Sequence, residues 1–530
     1  MSDQLTVPTS AVEGIGTSAH GLPTIHAAFA ARTAECPEAT AIVFRGEAIS
    51  YRTLDAAAGE YAARLAEFGV GPGDVVPVRL PRSAQQAAVL LAVLATGAAY
   101  AAFDHRWPAE RVAGLLDRIQ PKVLVSDAPV EGPAVPRWQP PAEPLTAATG
   151  RGGRTGPVVV GPADPACVFF TSGTTGVPKG VLSPHSATTR LFGADGLPGY
   201  ARGRATLQAA PCAWDAFSLE LWGMLTSGGT VVICEDDYLL PGVLRDAVAD
   251  HGVTTVFLTT SLFNLFVDMD PDCFAGMREV YTGGERHSVA HVGRFLARHP
   301  EIRLFNAYGP VEDCIFATTH ELGTDDLATP GGLPIGTPVA ATEVFVLAGE
   351  SVAATGEEGE ICIGGAGLAI GYLGLPELTE EKFPTLLLDG RPVRVYRTGD
   401  LGLVDGSGVL HYRGRSDRQV KVRGYRIELG EIEAAAVHTP GIGRAVAVPV
   451  PGTTAAWARI ALFYTVAGTG VTAEETPAED ATPEDPAGLA TTLAVALPAY
   501  LVPEVVRVVA GFPMTPNGKI DERALLATLD

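Results

Sequence analysis

Two hydrophobic rhythms alternate along this chain. Short apolar runs recur at Ala41–Phe44, Val75–Val78, Lys122–Val125, Ala166–Phe170, Thr230–Cys234 and Thr254–Leu258. Between them, apolar positions return every three or four residues, the spacing of one face of a helix. Continuous short runs read as buried strands, so the alternation predicts α/β layers built on a largely parallel sheet. The stretch Ala128–Gly161 is rich in proline and glycine and reads as a surface connection.

From Gly359 the texture changes to short strands with turns. Leu401–Arg415, with Asp405-Gly406 at its centre, predicts a hairpin. After Asp417 a new unit begins, with a strand over Gln419–Val422, a helix over Leu429–Val437 and further strands. The predicted organisation is a large N-terminal domain of layered sheets and helices, 1–416, and a small mobile α+β domain, 417–530. Within the latter, Gly468–Gly488 is acidic, rich in Pro and Thr and free of aromatics, the composition of a disordered surface insertion.

Composition narrows the function. The chain has 530 residues, 47% hydrophobic and 18% charged, as in a soluble globular protein with more than one domain. A formal charge of −22 argues against nucleic acid as a partner, because phosphate neutralisation needs basic patches. Neither a polybasic block nor an apolar run of membrane-span length occurs, and Met1–Leu22 lacks the apolar segment of a signal peptide. The seven cysteines are odd in number, scattered and without a CxxC pair, as expected of buried thiols in a reduced cytoplasm. These features predict a cytoplasmic protein with no membrane partner.

The densest chemical signal is Phe169-Phe-Thr-Ser-Gly-Thr-Thr-Gly-Val-Pro-Lys-Gly-Val181. An apolar strand runs into Thr171, Ser172, Gly173, Thr174 and Thr175, followed by Lys179. Small residues let backbone N–H groups converge on an anion, hydroxyls add donors, and the lysine adds charge, which together suit a phosphate. Pro178 before the lysine and the absence of Ser or Thr after it exclude a Walker A loop. Gly14-Ile-Gly16 lacks the preceding strand of a dinucleotide fingerprint. His287 and His291 have helical spacing but no zinc-protease glutamate, and read as a solvated helix face.

Eight segments occur in an order that identifies a resemblance over nearly the whole chain. They are 91–104, 169–181, WDAFSLELWG (214–223), NAYGPVED (306–313), GEICIGGAGLAIGYL (359–373), YRTGDL (396–401), GRSDRQVKVRGYRIELGEIE (414–433) and NGKID (517–521). The chain resembles the adenylation domains of nonribosomal peptide synthetases, within the acyl-CoA synthetase and luciferase superfamily. The resemblance implies ATP and Mg²⁺ as cofactors. Thr171–Lys179 would hold phosphates. Asn306 and Tyr308 would bind adenine, with Gly283, Gly284, Glu285, Ala307 and Gly309 completing the nucleotide site. Asp400 and Arg415 would take the ribose, Glu312 the metal, and Lys519 the carboxylate and α-phosphate in the transition state. Two departures stand out. Val311 replaces a usual Thr, and Ile370 a common Arg.

Asp215 matches the aspartate that pairs with a substrate ammonium; a charge entering an apolar pocket needs such a partner. A helix cap is the other reading of that residue. The implied side-chain pocket is Asp215, Ala216, Leu219, Phe257, Tyr281, Gly283, Ala307, Ile315, Phe316 and Lys519. Apart from its two charged ends the lining is apolar, with a single hydroxyl on Tyr281, which implies a small-to-medium aliphatic amino acid such as alanine, valine or isoleucine. Asp417 matches a hinge, and Lys421 and Gly424 a face used in thiol transfer. No carrier-type serine motif is present, so the acceptor expected is a phosphopantetheinylated carrier protein in trans, as in peptide or macrolactam antibiotic assembly. An acyl-CoA or aryl-CoA ligase, and an inactive scaffolding relative, remain alternatives.

Overall fold

In a computed structural model of the chain, the described residues are 19, 21–130, 132–141, 145, 158–171, 178–452, 457–466, 488–514 and 520–529. The chain divides into two compact units. The first comprises Met1–His105, Val112–Phe170 and Gly180–Ser416; the second comprises Arg106–Arg111, Thr171–Lys179 and Asp417–Asp530.

Three sheets organise the first unit among the described residues. The nine-stranded sheet has a parallel centre, in which Thr40–Phe44, Thr230–Ile233, Ala205–Gln208, Thr255–Thr259, Glu279–Gly283 and Arg303–Tyr308 are neighbours in that order. A seven-stranded sheet contains Pro165–Thr171 next to Lys179–Pro184. The predicted parallel α/β layering is therefore present. Helices Ala84–Ala95 and Ala216–Ser227 are buried along almost their whole length, and their side chains join residues of both sheets in one core. Continuous apolar composition suits a helix covered on every side. Ser83 starts the first of these helices by accepting a hydrogen bond from the amide of Gln86.

The third sheet holds the long strand Arg391–Val404, which pairs with Leu410–Arg415 across the expected Asp405-Gly406 turn. Asp405 Oδ1 accepts from the amides of Ser407 and Val409, which closes that turn. One expectation needs correction. Within the supposed surface connection, Arg137–Trp138 is an edge strand parallel to Leu124–Ser126, and Trp138 is buried against Tyr61. An indole of that size gains more by burial than the surrounding prolines lose.

The second unit has a five-stranded mixed sheet, with the helices Leu429–Val437 and Leu489–Ala496 contributing to its core. The insertion Gly468–Gly488 lies outside the described residues, apart from Gly488, which begins the second of those helices. All seven cysteines are free and buried, as their scatter suggested. Among the described residues, no helix is long and apolar enough to cross a membrane.

Candidate active site

Three adjacent parallel strands end level with one another, Thr259 opposite Gly283 and Gly283 opposite Ala307. Backbone approaches backbone so closely here that a Cβ on Gly283 would stand 2.0 Å from the Ala307 carbonyl oxygen. Only glycine fits. Beyond Tyr308 the chain turns through Gly309, where a Cβ would meet the Ile315 carbonyl oxygen at 2.3 Å, into the short helix Val311–Asp313. Cys314 and Ile315 then take φ of 34° and 92°, and the Ala317 amide returns to the Tyr308 carbonyl at 2.8 Å. A β-branched residue at positive φ is a strained position that the surroundings must enforce.

The residues expected to form a side-chain pocket gather beside this turn. The Phe316 ring lies 5.6 Å from Phe257 and 6.1 Å from Tyr281, and Tyr281 stacks on Phe305 at 4.8 Å. Ala216, Leu219, Ala307 and Ile315 are buried. Asp215, half-buried, caps the helix Ala216–Ser227 by accepting from the Ala216 amide at 3.0 Å. The expected pocket hydroxyl needs correction: Tyr281 donates it to the Pro198 carbonyl at 2.8 Å, because a buried phenol needs an acceptor. Burial also raises the Tyr281 pKa above the usual phenol value.

A second cluster centres on Asp400. Tyr308 donates to Oδ2 of its carboxylate at 2.6 Å, and Arg415 donates to Oδ1 and, at 3.0 Å, to the Thr398 carbonyl. Asp400 and Arg415 face each other across the hairpin. Burial first, then the Asp400 charge, hold the Tyr308 phenol well above its usual pKa, so it stays a donor. Asn306 donates its amide to the Pro334 carbonyl at 2.6 Å, and Glu285 accepts from Ser261 at 2.7 Å next to Gly284 at φ 96°.

Glu312 is buried to 1% exposure, and Tyr372 donates to its Oε1 at 2.9 Å. Its backbone carbonyl accepts from the Ala369 amide at 2.8 Å. Val311, where a threonine was expected, packs against the main core. At Ile370, the other departure, Arg394 donates to the carbonyls of Ala369 and Ile370 at 3.0 and 2.9 Å. Burial lowers the pKa of that guanidinium to about 10.

Thr171 and Lys179 end and begin neighbouring strands, while Ser172, Gly173, Thr174 and Thr175 lie outside the described residues, as does Lys519. In the second unit, Arg423 and Gly424 form the two-residue turn between Val420–Val422 and Tyr425–Ile427, at φ 53° and 82°. Two left-handed residues match the twist of a tight hairpin, which explains the glycine. Lys421 sits opposite Arg426 in that hairpin, and Asp417 accepts from the Gln419 amide at 3.2 Å.

The pattern of AMP-binding enzymes matches residues 29–373. The chain belongs to this family. Malpibaldin synthetase of Mortierella alpina is 36% identical over 94% of this AMP-binding chain, and surfactin synthase subunit 3 of Bacillus subtilis is 34% identical over 92%. The chain spans only 9% and 37% of those two relatives. Among solved structures, holo-PA1221, a nonribosomal peptide synthetase protein with adenylation and PCP domains bound to a vinylsulfonamide inhibitor, superposes with a TM-score of 0.84. It is 33% identical, over 96% of this chain and 85% of that one. Klebsiella oxytoca NpsA in complex with 3-hydroxyanthranilyl-AMSN is 26% identical with a TM-score of 0.70, over 96% and 99%. The AMP-binding chain thus has the mixed α/β fold and the large and small domains of adenylation enzymes, and its relatives are nonribosomal peptide synthetases.

In this AMP-binding enzyme, several groups around the site escaped the sequence reading. Tyr372 lies inside GEICIGGAGLAIGYL, where nothing in the sequence singles out its hydroxyl. Glu220, in the middle of WDAFSLELWG, is buried and accepts from the amides of Ala209 and Ala210 at 2.9 and 2.8 Å. Burial pushes its pKa up to about 8. The supposed solvated face of His287 and His291 is another correction. Each is 7% exposed, His287 precedes the helix Val289–Arg298, and His291 lies 3.1 Å from Asp268 of the neighbouring helix.

Proposed function

We propose that this enzyme uses ATP to activate the carboxylate of a small-to-medium aliphatic amino acid, then transfers the acyl group to a carrier-protein thiol. In the first step a carboxylate oxygen attacks the α-phosphorus, forming an acyl-adenylate and releasing pyrophosphate. In the second, the phosphopantetheine sulfur attacks the acyl carbon, and AMP leaves with the bonding electron pair.

The observation that carries this reading is the Tyr308–Asp400–Arg415 cluster. A buried carboxylate already fixed by two donors is a pre-oriented acceptor for the two hydroxyls of a ribose. Asn306 and the strand ending at Gly283 offer a polar group and close backbone approach to a nucleobase. Glu312, buried and held by Tyr372, fits the single protein carboxylate that Mg²⁺ often takes beside substrate phosphates. When bound, Mg²⁺ neutralises phosphate charge as pyrophosphate departs. Lys519 is assigned to the first step, Lys421 and Gly424 to the second, and Asp417 to the hinge. The carrier protein as acceptor is supported by PA1221, which contains a PCP domain.

The half-buried Asp215 carboxylate supports an ammonium in the substrate, and the apolar residues around Phe316 support an aliphatic side chain. Burying a charged or amide side chain among them would leave polar groups unpaired. Neighbours in size should be separated only weakly, since one methylene is worth ~1–3 kcal/mol. The aryl ligand of NpsA makes an aryl acid the second reading. Pyrophosphate exchange decides between them, run with alanine, valine, isoleucine, phenylalanine, aspartate, lysine and an aryl acid. Alanine, valine or isoleucine should lead. Exchange led by aspartate, lysine or phenylalanine refutes the pocket reading, and exchange with the aryl acid alone refutes the amino-acid reading. Loading of an added phosphopantetheinylated carrier tests the acceptor.

A further inference from the structure

Behind the aromatic residues of the site lies an ion pair that none of the assigned roles uses. Arg190 and Asp313 both have fully buried side chains, joined through Nη2 and Oδ2 at 2.7 Å. The same guanidinium donates to the carbonyls of Asp313 and Phe316 at 2.8 Å each, to that of Cys314 at 3.3 Å, and also to that of Ala187. Its Nε donates to Thr342 at 3.0 Å. One cation therefore gathers three carbonyls of a four-residue turn.

Those carbonyls belong to Asp313–Phe316, the segment whose middle residues, Cys314 and Ile315, hold left-handed backbone angles. Left-handed geometry at a β-branched residue persists only when surrounding contacts over-determine it. A planar fork with five donors, held in place by one carboxylate, is suited to that task, and a lysine is not. Gly367 completes the arrangement. A Cβ there would lie 2.2 Å from Asp313 Oδ1 and 2.4 Å from Arg190 Nη2.

We propose that Arg190 and Asp313 are positioning residues that clamp the strained turn and so place Ile315 and Phe316 as walls of the acid-binding pocket. The inference deepens the proposed function and rests on its assignment of that pocket. Glu312, next in sequence, has its own supports in Ala369 and Tyr372, so the clamp acts on acid selection and not on nucleotide binding.

Two variants test this without removing a charge. Arg190→Lys keeps the cation but loses the fork, and Gly367→Ala wedges a methyl group against the pair. Both are compared with wild type for thermal midpoint, for KM of the acid and of ATP, and for the ranking of acids by size. In each, the acid KM should rise tenfold or more, the ATP KM should stay within twofold, and the ranking should flatten. A lowered thermal midpoint with unchanged acid KM and ranking would make the pair a structural strut and overturn the proposal. If Arg190→Lys fails to fold, Gly367→Ala decides alone, and Asp313→Asn, nearly isosteric, replaces it if needed. Should the wild type activate only amino-free acids, the amino-acid reading fails. The same comparison then runs on the best acid, and only unchanged values there count against the clamp.

Discussion

Tyr372 donates its phenolic hydrogen to Glu312 Oε1 at 2.9 Å, and the two residues are buried together although 60 positions separate them. The bond helps to fix the rotation of the carboxylate proposed to hold Mg²⁺. Outer partners of this kind typically tune metal affinity by 10–100-fold.

Tyr372→Phe removes that donor with almost no change of shape. The half-saturating Mg²⁺ concentration for pyrophosphate exchange should rise by about tenfold. Saturating Mg²⁺ should restore most of the rate. An unchanged Mg²⁺ titration, followed alongside Mn²⁺ binding to the ATP complex, would show that Tyr372 only fills space.

Asp215 caps a helix and is proposed to pair with the substrate ammonium, two roles that substitution can separate. Serine keeps the helix cap and loses the charge, whereas alanine loses both. Asp215→Ser should keep the thermal midpoint near wild type, and Asp215→Ala should cost about 1 kcal/mol more. Both should raise the amino-acid KM at least a hundredfold, leaving the ATP KM alone. A normal amino-acid KM in the serine variant would assign Asp215 to capping only.

Asp400→Asn should weaken ATP binding and the fold together. It leaves Arg415, whose side chain is 12% exposed, without its carboxylate, and breaking a buried pair costs about 3 kcal/mol or more. Calorimetric titration with a non-hydrolysable ATP analogue should show affinity falling tenfold or more. Urea melts would report the stability loss, and full ATP affinity would rule out the ribose assignment.

Burial pushes the His287 pKa down to about 4. A group whose folded pKa lies below its unfolded value is neutral in the fold and takes up a proton on unfolding. Its contribution is complete above the unfolded pKa of about 6.5 and is lost as pH falls towards 4. That loss amounts to roughly 3 kcal/mol. Across urea melts from pH 7.5 to 4.5, wild type should therefore lose stability more steeply than His287→Gln. Parallel curves would mean that the imidazole is already protonated in the fold.

The layers were legible because burial on both faces of a parallel strand writes itself as a run of apolar residues, as at Thr254–Leu258. The Asp405 hairpin was legible for a similar local reason, its turn being closed by a side chain within four residues. Contacts made across long separations left no such mark. Arg190 meets Asp313 over 123 positions, and nothing near either residue in sequence predicts the other. Tyr281 could be placed beside Phe316 by resemblance, but its bond to Pro198 spans 83 positions and was invisible. His291 was misread because helical spacing reports which residues share a face, not what packs upon it. Here the helix Thr260–Met269 brings Asp268 to it.

The seam at Gly283 also bears on how the enzyme can be re-aimed at other acids. With a Cβ excluded there by the Ala307 carbonyl, and at Gly309 by that of Ile315, neither position of the proposed site can take a side chain. Tyr281 is nearly as fixed, tied to Pro198 and stacked on Phe305. Of the aromatic residues of the proposed pocket, Phe257 and Phe316 are left, with ring centroids 5.6 Å apart. A library that varies this pair tests the two aromatic positions that no such tie fixes, while the peptide seam stays as it is.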